Sequence, residues 1–307
     1  MQALRNIANF VISISIFVFL FLASPVMAQT GSLTLAWNAN PETDIIGYHL
    51  YYKSGGSGAP YDGTGAYVGD SLRDSPIVVS PSPSPTITLN GLDPNLDYEF
   101  AVTAFNSAGE SGYSAPVRIF SISSQADANG SVDPSGPVWV IANGSKTVTI
   151  TPNEGCVIAD VRIDGTSVGA VDTYTFTDVT ANKSLSAIFA ADSDYDGLSD
   201  ADETDIYGTD PYWADSDNDG IDDGIELDYW GSDWDLDIDG DGIANNLLDA
   251  DADGDGWLDG QEDKNGNGIL DPGESDPSDG NDIPAARTEI KIIDMGDGLF
   301  IPIKVKS

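Results

Sequence analysis

Between Asp192 and Asp282 the chain carries 32 Asp and Glu residues against a single lysine, Lys264. Within that run the spacing D-x-D-x-D-G-hydrophobic-x-D-x-x-E returns repeatedly. Carboxylates so placed are donors for a hard divalent cation. Calcium takes six to eight oxygens at about 2.3–2.6 Å, and a twelve-residue loop delivers them from positions 1, 3, 5, 7, 9 and 12. Position 7 contributes its backbone carbonyl, glycine at position 6 permits the sharp turn, and an acid at position 12 closes the cage with both oxygens.

The first copy is Asp192, Asp194, Asp196, Leu198, Asp200 and Glu203, with Gly197 at the turn. Asp215, Asp217, Asp219, Ile221, Asp223 and Glu226 form the second, with Gly220. A third clean copy is Asp251, Asp253, Asp255, Trp257, Asp259 and Glu262, with Gly256. Asp263, Asn265, Asn267, Ile269, Asp271 and Glu274 keep the spacing around Gly268 with two amides in place of carboxylates. Asp237, Asp239, Asp241, Ile243 and Asn245 make an imperfect copy, because Leu248 stands at the closing position, and a weaker site is expected there.

Two carboxylates about 4 Å apart repel by about 4 kcal/mol at an effective dielectric near 20, so several converging on one point need a cation to stay compact. A solvated acidic tail is the competing explanation for such a charge block. It lacks fixed offsets of glycine and hydrophobic residues, and it is poor in aromatics, whereas Trp213, Trp230, Trp234 and Trp257 all lie in this segment. Paired helix-loop-helix units are also disfavoured. The loops begin 23, 22, 14 and 12 residues apart, leaving space only for short helical turns near Asp200 to Tyr207 and Asp222 to Tyr229. With Gly208-Thr209-Asp210-Pro211 leading into the next loop, residues 191–282 resemble the bacterial form of thrombospondin type 3 repeats. That resemblance implies chain wrapped around a line of calcium ions with little apolar core. The repeat cysteines of the animal form are missing.

Arg5, the apolar run Val11 to Ala23 and the ending Pro25-Val26-Met27-Ala28 read as a secretory signal over residues 1–28, with no membrane span expected after its removal. Export matters because extracellular calcium modules work at dissociation constants of about 10⁻⁴–10⁻³ M, which cytosolic calcium does not reach. Cys156 is the single cysteine, which excludes an intramolecular disulfide, and beside Val157 and Ile158 it reads as a small buried thiol. A net charge of −39 with only 12 Lys and Arg argues against nucleic acid or anionic membrane as partners.

Residues 31–120 show alternating apolar runs, among them Leu33 to Trp37, Tyr48 to Tyr52, Thr86 to Leu89 and Tyr98 to Phe105, as in an antiparallel sandwich. Leu92-Asp93-Pro94 followed by Tyr98 has the form of a tyrosine corner. Together with Trp37, Tyr51 and the run Ala101 to Asn106 before Gly109, this segment resembles a fibronectin type III domain. Ser80 to Pro85 alternates Ser and Pro and reads as an extended surface loop.

Residues 121–190 are β-rich again, with the hairpin signal Asp164-Gly165. The phrases Asn129 to Pro134, Ile150 to Asn153, Val161 to Gly165 and Phe176 to Asn182 resemble the internalin B-type repeat of bacterial surface proteins, which implies a small β-grasp-like module. Residues 283–307 leave the acidic regime, and Thr288 to Ile293 with Leu299 to Val305 read as a terminal hairpin whose Lys291, Lys304 and Lys306 are solvated or face the acids.

His49, the one histidine, sits on an alternating strand and reads as structural, and one His with one Cys is too few for zinc. The expected architecture is mainly β, comprising a fibronectin type III-like sandwich, a small β-grasp-like domain and an irregular calcium-organised array of EF-hand-like loops. The expected function is a bacterial secreted or cell-surface structural or adhesion protein without enzymatic activity. Calcium is the expected cofactor, and an extracellular protein or glycan is the expected partner. The alternatives are an accessory binder of extracellular polysaccharide or protein, and a secreted hydrolase.

Overall fold

The computed structural model describes residues 12–15, 31–284, 288–294 and 300–306, with side chains described for 31–284. The strands in chain order are β1 (Ile12–Ser15), β2 (Gly31–Trp37), β3 (Gly47–Ser54), β4 (Ala66–Val68), β5 (Ser71–Arg73), β6 (Ile77–Val79) and β7 (Thr86–Leu92). They continue with β8 (Tyr98–Asn106), β9 (Gly109–Glu110), β10 (Val117–Ala126), β11 (Gly130–Asp133), β12 (Gly136–Ile141) and β13 (Lys146–Pro152). The last are β14 (Cys156–Ile163), β15 (Thr166–Ser167), β16 (Thr173–Phe176), β17 (Lys183–Ala191), β18 (Thr288–Asp294) and β19 (Phe300–Lys306). The chain divides into two compact units: one runs to residue 152 and includes 158–189, the other comprises 153–157 and the residues from 190 onward.

In the first unit a five-stranded sheet, β1-β2-β7-β4-β5, faces the longer sheet β15-β14-β17-β10-β8-β3-β6, which β9 and β12 extend by pairing β8 and β10. The alternation in β2 and β3 sends Leu33, Leu35, Trp37, Tyr48, Leu50 and Tyr52 into the core between them. Tyr51, in contrast, lies on the outer face. The tyrosine corner forms as its spacing demands, with the Asp93 backbone N–H donating to the Tyr98 hydroxyl at 2.9 Å. Burial, opposed in part by that bond and reinforced by the nearby Asp93 charge, pushes the Tyr98 hydroxyl up to about 12. Tyr98→Phe keeps the ring and removes the acceptor, so a loss of about 1 kcal/mol is expected. A shifted denaturation midpoint at unchanged slope checks it, and an unshifted one refutes it.

The expected boundary between residues 120 and 121 falls inside β10. This strand pairs β8 through Val117–Ile119 and β12 through Ile119–Ser124, and runs parallel to β17 through Ile122–Ala126. Its face changes core along its length, Ile119 joining the first cluster and Phe120 and Ile122 a second with Val148, Ile150, Val161 and Leu185. Trp139, from β12, packs into the first core and donates from its indole N–H to the Leu96 carbonyl at 3.0 Å. The Ser121 hydroxyl donates to the Pro94 carbonyl at 2.7 Å. Residues beyond 120 thus clasp the tyrosine corner.

The Asp164-Gly165 signal is a turn between β14 and β15 with both residues at positive φ, 49° and 83°. Residues 80–85 carry no strand, and all but Pro85 are exposed, matching the expected loop. Cys156 is only half-buried, because it opens β14 at a turn and not within a core, which corrects the buried-thiol expectation. β18 and β19 pair antiparallel, as the terminal runs suggest. The side chains of Lys291, Lys304 and Lys306, and nearly all of the expected signal segment, lie outside the described residues. Among the described residues no helix is long and apolar enough to cross a membrane.

Candidate metal centre

The acidic segment folds as a chain of turns with short helices: α1 (Asp200–Asp202), a π-helical turn Glu203–Tyr207, α2 (Asp223–Trp230), a 3₁₀ turn Gly231–Asp233 and α3 (Asp259–Glu262). The two helical turns expected from the spacing are therefore present. Leu198, Trp230, Leu247 and Ala252 are its buried apolar core, with Tyr207, Leu227, Tyr229 and Trp234 packed beside them. A core that small is slight for about ninety ordered residues, given the entropy lost on ordering each. Trp213 and Trp257 remain exposed, 58% and 37%.

All five loops share two backbone features, a glycine at positive φ and a turn bond to the residue before it. The position-6 glycines Gly197, Gly220, Gly242, Gly256 and Gly268 have φ of 101°, 111°, 105°, 97° and 66°, a region costly for other residues. The position-7 N–H donates to the position-5 side chain in every loop, from Leu198 to Asp196 (2.7 Å), Ile221 to Asp219 (2.8 Å), Ile243 to Asp241 (2.7 Å), Trp257 to Asp255 (2.8 Å) and Ile269 to Asn267 (2.8 Å). Position 9 is oriented the same way in three loops, where Asp200, Asp223 and Asp259 accept from the N–H of Ser193, Ser216 and Ala252 at 2.8, 2.8 and 3.1 Å. The Ser193 and Ser216 hydroxyls donate to the second oxygens of Asp200 and Asp223, so these two side chains are held at both ends.

The carboxylates converge as the spacing predicts. Ligand oxygens of Asp192, Asp194 and Asp196 lie within 4.8 Å of one another, as do those of Asp215, Asp217 and Asp219, of Asp237, Asp239 and Asp241, and of Asp251, Asp253 and Asp255. A further group, Asp196, Glu203 and Asp223, is contributed by two different loops. Position 9 of the second loop thus reaches the first. Gly224 makes room for this, since a Cβ there would sit 2.2 Å from the Asp196 carbonyl oxygen. Gly260 repeats the contact one loop later, donating its N–H to Asp219 at 2.6 Å with no space for a side chain against the Asp219 carbonyl.

Burial divides the loops. Glu203, Glu226 and Glu262, the closing acids of the three clean copies, are 0%, 1% and 0% exposed. Both oxygens of Glu226 and Glu262 and one of Glu203 have no hydrogen-bond partner, and Asp194, Asp196, Asp217, Asp253, Asp255 and Asp259 also hold unpartnered buried oxygens. Burial first, and then the charges of Asp217 and Asp219, push Glu226 up to about 11. Burial likewise leads in raising Asp259 to about 9, with Asp219 and Asp217 beside it, and Glu203 to about 8, with Asp194 and Asp196 beside it. Buried orphan acceptors on this scale are rare in folded proteins and call for a positive partner.

The other two loops differ. In 263–274 the donors are already engaged: Glu274 accepts from the Lys264 and Asp271 N–H groups, and the Asn265 and Asn267 amides donate to Asp271. Asp237, Asp239 and Asp241 are exposed. Leu248 offers no oxygen, but the next residue, Asp249, is 6% exposed with an unpartnered Oδ2, and the charges of Asp241 and Asp239 join burial in raising its carboxyl. Asp249 was missed because a fixed twelve-residue template looks one position too early. The adjacent acid at position 13 is the signal that a looser template would catch.

His49 stacks on Phe105, their ring centroids 4.5 Å apart, and its Nδ1 lies 2.9 Å from Glu110, which also accepts from the Tyr51 and Thr103 hydroxyls. These contacts hold the side chain within the sheet surface.

No curated protein matches the chain in sequence. Among solved structures it is similar to one titled "Myokine structure", at 20% identity and a TM-score of 0.21, over 28% of this chain and 78% of that one. It is also similar to the FN1–FN3 domains of chicken CNTN1, at 14% identity and a TM-score of 0.23, over 59% of this chain and 65% of that one. Neither likeness bears on function. The model of the fibronectin type III domain matches residues 25–120. The β-sandwich whose tyrosine corner and core were built above therefore carries a fibronectin type III domain, a binding or structural module.

Proposed function

We propose that this chain is a secreted or cell-surface structural or adhesion protein whose acidic segment, residues 191–282, folds around calcium. The observation that supports this best is Glu226, almost fully buried with two unpartnered oxygens among Asp217, Asp219, Asp223 and Asp259. The donor set is all oxygen, which suits a hard cation and not zinc or copper. Glu226, Asp215, Asp217, Asp219 and Asp259 would hold one ion, which neutralises their mutual repulsion and replaces the hydrogen bonds they lack. The thrombospondin type 3 likeness of this segment and the internalin B-type likeness of 121–190 fit the same reading, as does export under a leader at residues 1–28. Its role is mechanical, with calcium turning an expanded polyanion into a segment of fixed geometry that follows the β modules in the chain.

The direct test is metal counting after dialysis against millimolar calcium. Each of the three loops with buried unpartnered closing acids is expected to retain an ion. Protein that retains none would end the proposal.

A further inference from the structure

The loop 251–262 lacks one thing its two clean counterparts have. Loop 192–203 is covered by the Asp223-Gly224 pair of another loop, and loop 215–226 by Asp259-Gly260. In both, the glycine lies flat on the covered loop and the aspartate before it joins the cluster of carboxylates. Loop 251–262 has no following clean copy to do this. Its Glu262 is nevertheless 0% exposed, its oxygens short of a full hydrogen bond and eased only by the nearby Ser275 hydroxyl, and Asp253 and Asp255 each hold an unpartnered oxygen.

The segment after the last loop supplies the same dipeptide, Asp279-Gly280. A Cβ on Gly280 would stand 3.1 Å from the Asp253 carbonyl oxygen and 3.7 Å from the Asp255 Cβ, so this glycine lies against loop 251–262 at its third position, where Gly224 and Gly260 meet the fifth position of the loops they cover. The segment is anchored for the purpose. Ser275 is buried, and Asp276 accepts from the Tyr229 hydroxyl at 2.8 Å. The Asp279 side chain lies close enough to Asp253 for the two charges to repel. Asp279 Oδ1 takes both the N–H and the side-chain amide of Asn281, at 3.1 and 3.0 Å, which fixes the carboxylate at the turn and leaves Oδ2 for another partner. Asp279 is exposed, unlike Asp223 and Asp259.

We propose that Asp279, outside every twelve-residue copy of the motif, is a ligand of the cation held by loop 251–262 and ends the array as Asp223 and Asp259 link its earlier loops. The inference rests on the calcium reading above and adds a residue to it.

Asp279→Asn tests it, because the amide oxygen still accepts from Asn281 and preserves the turn while the ligand charge is lost. Asp282→Asn, three residues on and exposed, is the control. Trp257 occupies position 7 of the same loop, so the part of the calcium-induced fluorescence change that Trp257→Phe abolishes reports that site, and calorimetry with calcium reports all of them. The expected result for Asp279→Asn is about tenfold weaker calcium binding in the tryptophan signal, as ligand charge count sets affinity in such loops, with the remaining calorimetric sites and the Asp282→Asn protein unchanged. If Asp279→Asn titrates as wild type, Asp279 only caps the turn and the assignment is overturned while calcium binding stands. If wild type itself takes up no calcium, both fall.

Discussion

Removing calcium from the purified protein is expected to unravel residues 190–284 and leave the β unit folded. Scattering before and after a chelator should show a larger radius of gyration, and limited proteolysis should cut within the acidic segment while sparing residues 31–189. The size of the effect follows from what each unit rests on. The β unit has two apolar cores, the first alone burying Leu33, Leu35, Tyr48, Leu50, Tyr52 and Phe100 to 1% exposure or less. Among the described residues the acidic unit has one apolar cluster, Leu198, Trp230, Leu247 and Ala252, with Ile221 buried outside it. Without a cation this unit is left with closely packed carboxylates, and each pair within about 4 Å costs about 4 kcal/mol at an effective dielectric near 20. An unchanged radius on chelation would show that hydrogen bonding and the small core suffice.

The second large effect is a pH dependence of opposite sign in the two states. Burial raises Glu226 to about 11, Asp259 to about 9 and Glu203 and Asp217 each to about 8 in the metal-free fold, against ordinary carboxylate values near 4 in the unfolded chain. The folded state therefore binds more protons than the unfolded state above pH about 4, and stability falls as pH rises. The metal-free acidic segment should be compact near pH 5 and expanded near pH 8. Calcium reverses this, because it displaces those protons and binds more tightly as pH rises. Calorimetry in two buffers of different ionisation enthalpy measures the protons released. Glu226→Gln, a neutral isostere, should release fewer and lose the ion of loop 215–226. Equal proton release by variant and wild type would remove Glu226 from the site.

The loop spacing was legible because its chemistry is local: a ligand at every second residue and a glycine at the sixth suffice to define the turn. Asp192, Asp194 and Asp196 converge for that reason, and so do Asp215, Asp217 and Asp219. What the sequence hid is non-local. Nothing in the twelve-residue pattern says that Asp223 joins Glu203, or that Gly260 seats on Asp219, since both depend on how one loop stacks on another. The amide-bearing loop shows the converse. Asn265 and Asn267 satisfy the spacing, yet they donate hydrogen bonds to Asp271, which a carboxylate at either position cannot do. In the β unit the tyrosine corner and the Asp164-Gly165 turn were readable from a few adjacent residues. Trp139 was not, because its partners Leu96 and Tyr98 lie some forty positions earlier.

That clasp bears on how such a module can be moved between proteins. The family match stops at residue 120, so a graft cut there would sever β10, strip the indole of Trp139 from its slot beside Gly31 and free the Pro94 carbonyl from Ser121. The transplantable piece is longer than the recognised one: it must carry β12 as well, and its natural seam lies in the chain that follows the second β core.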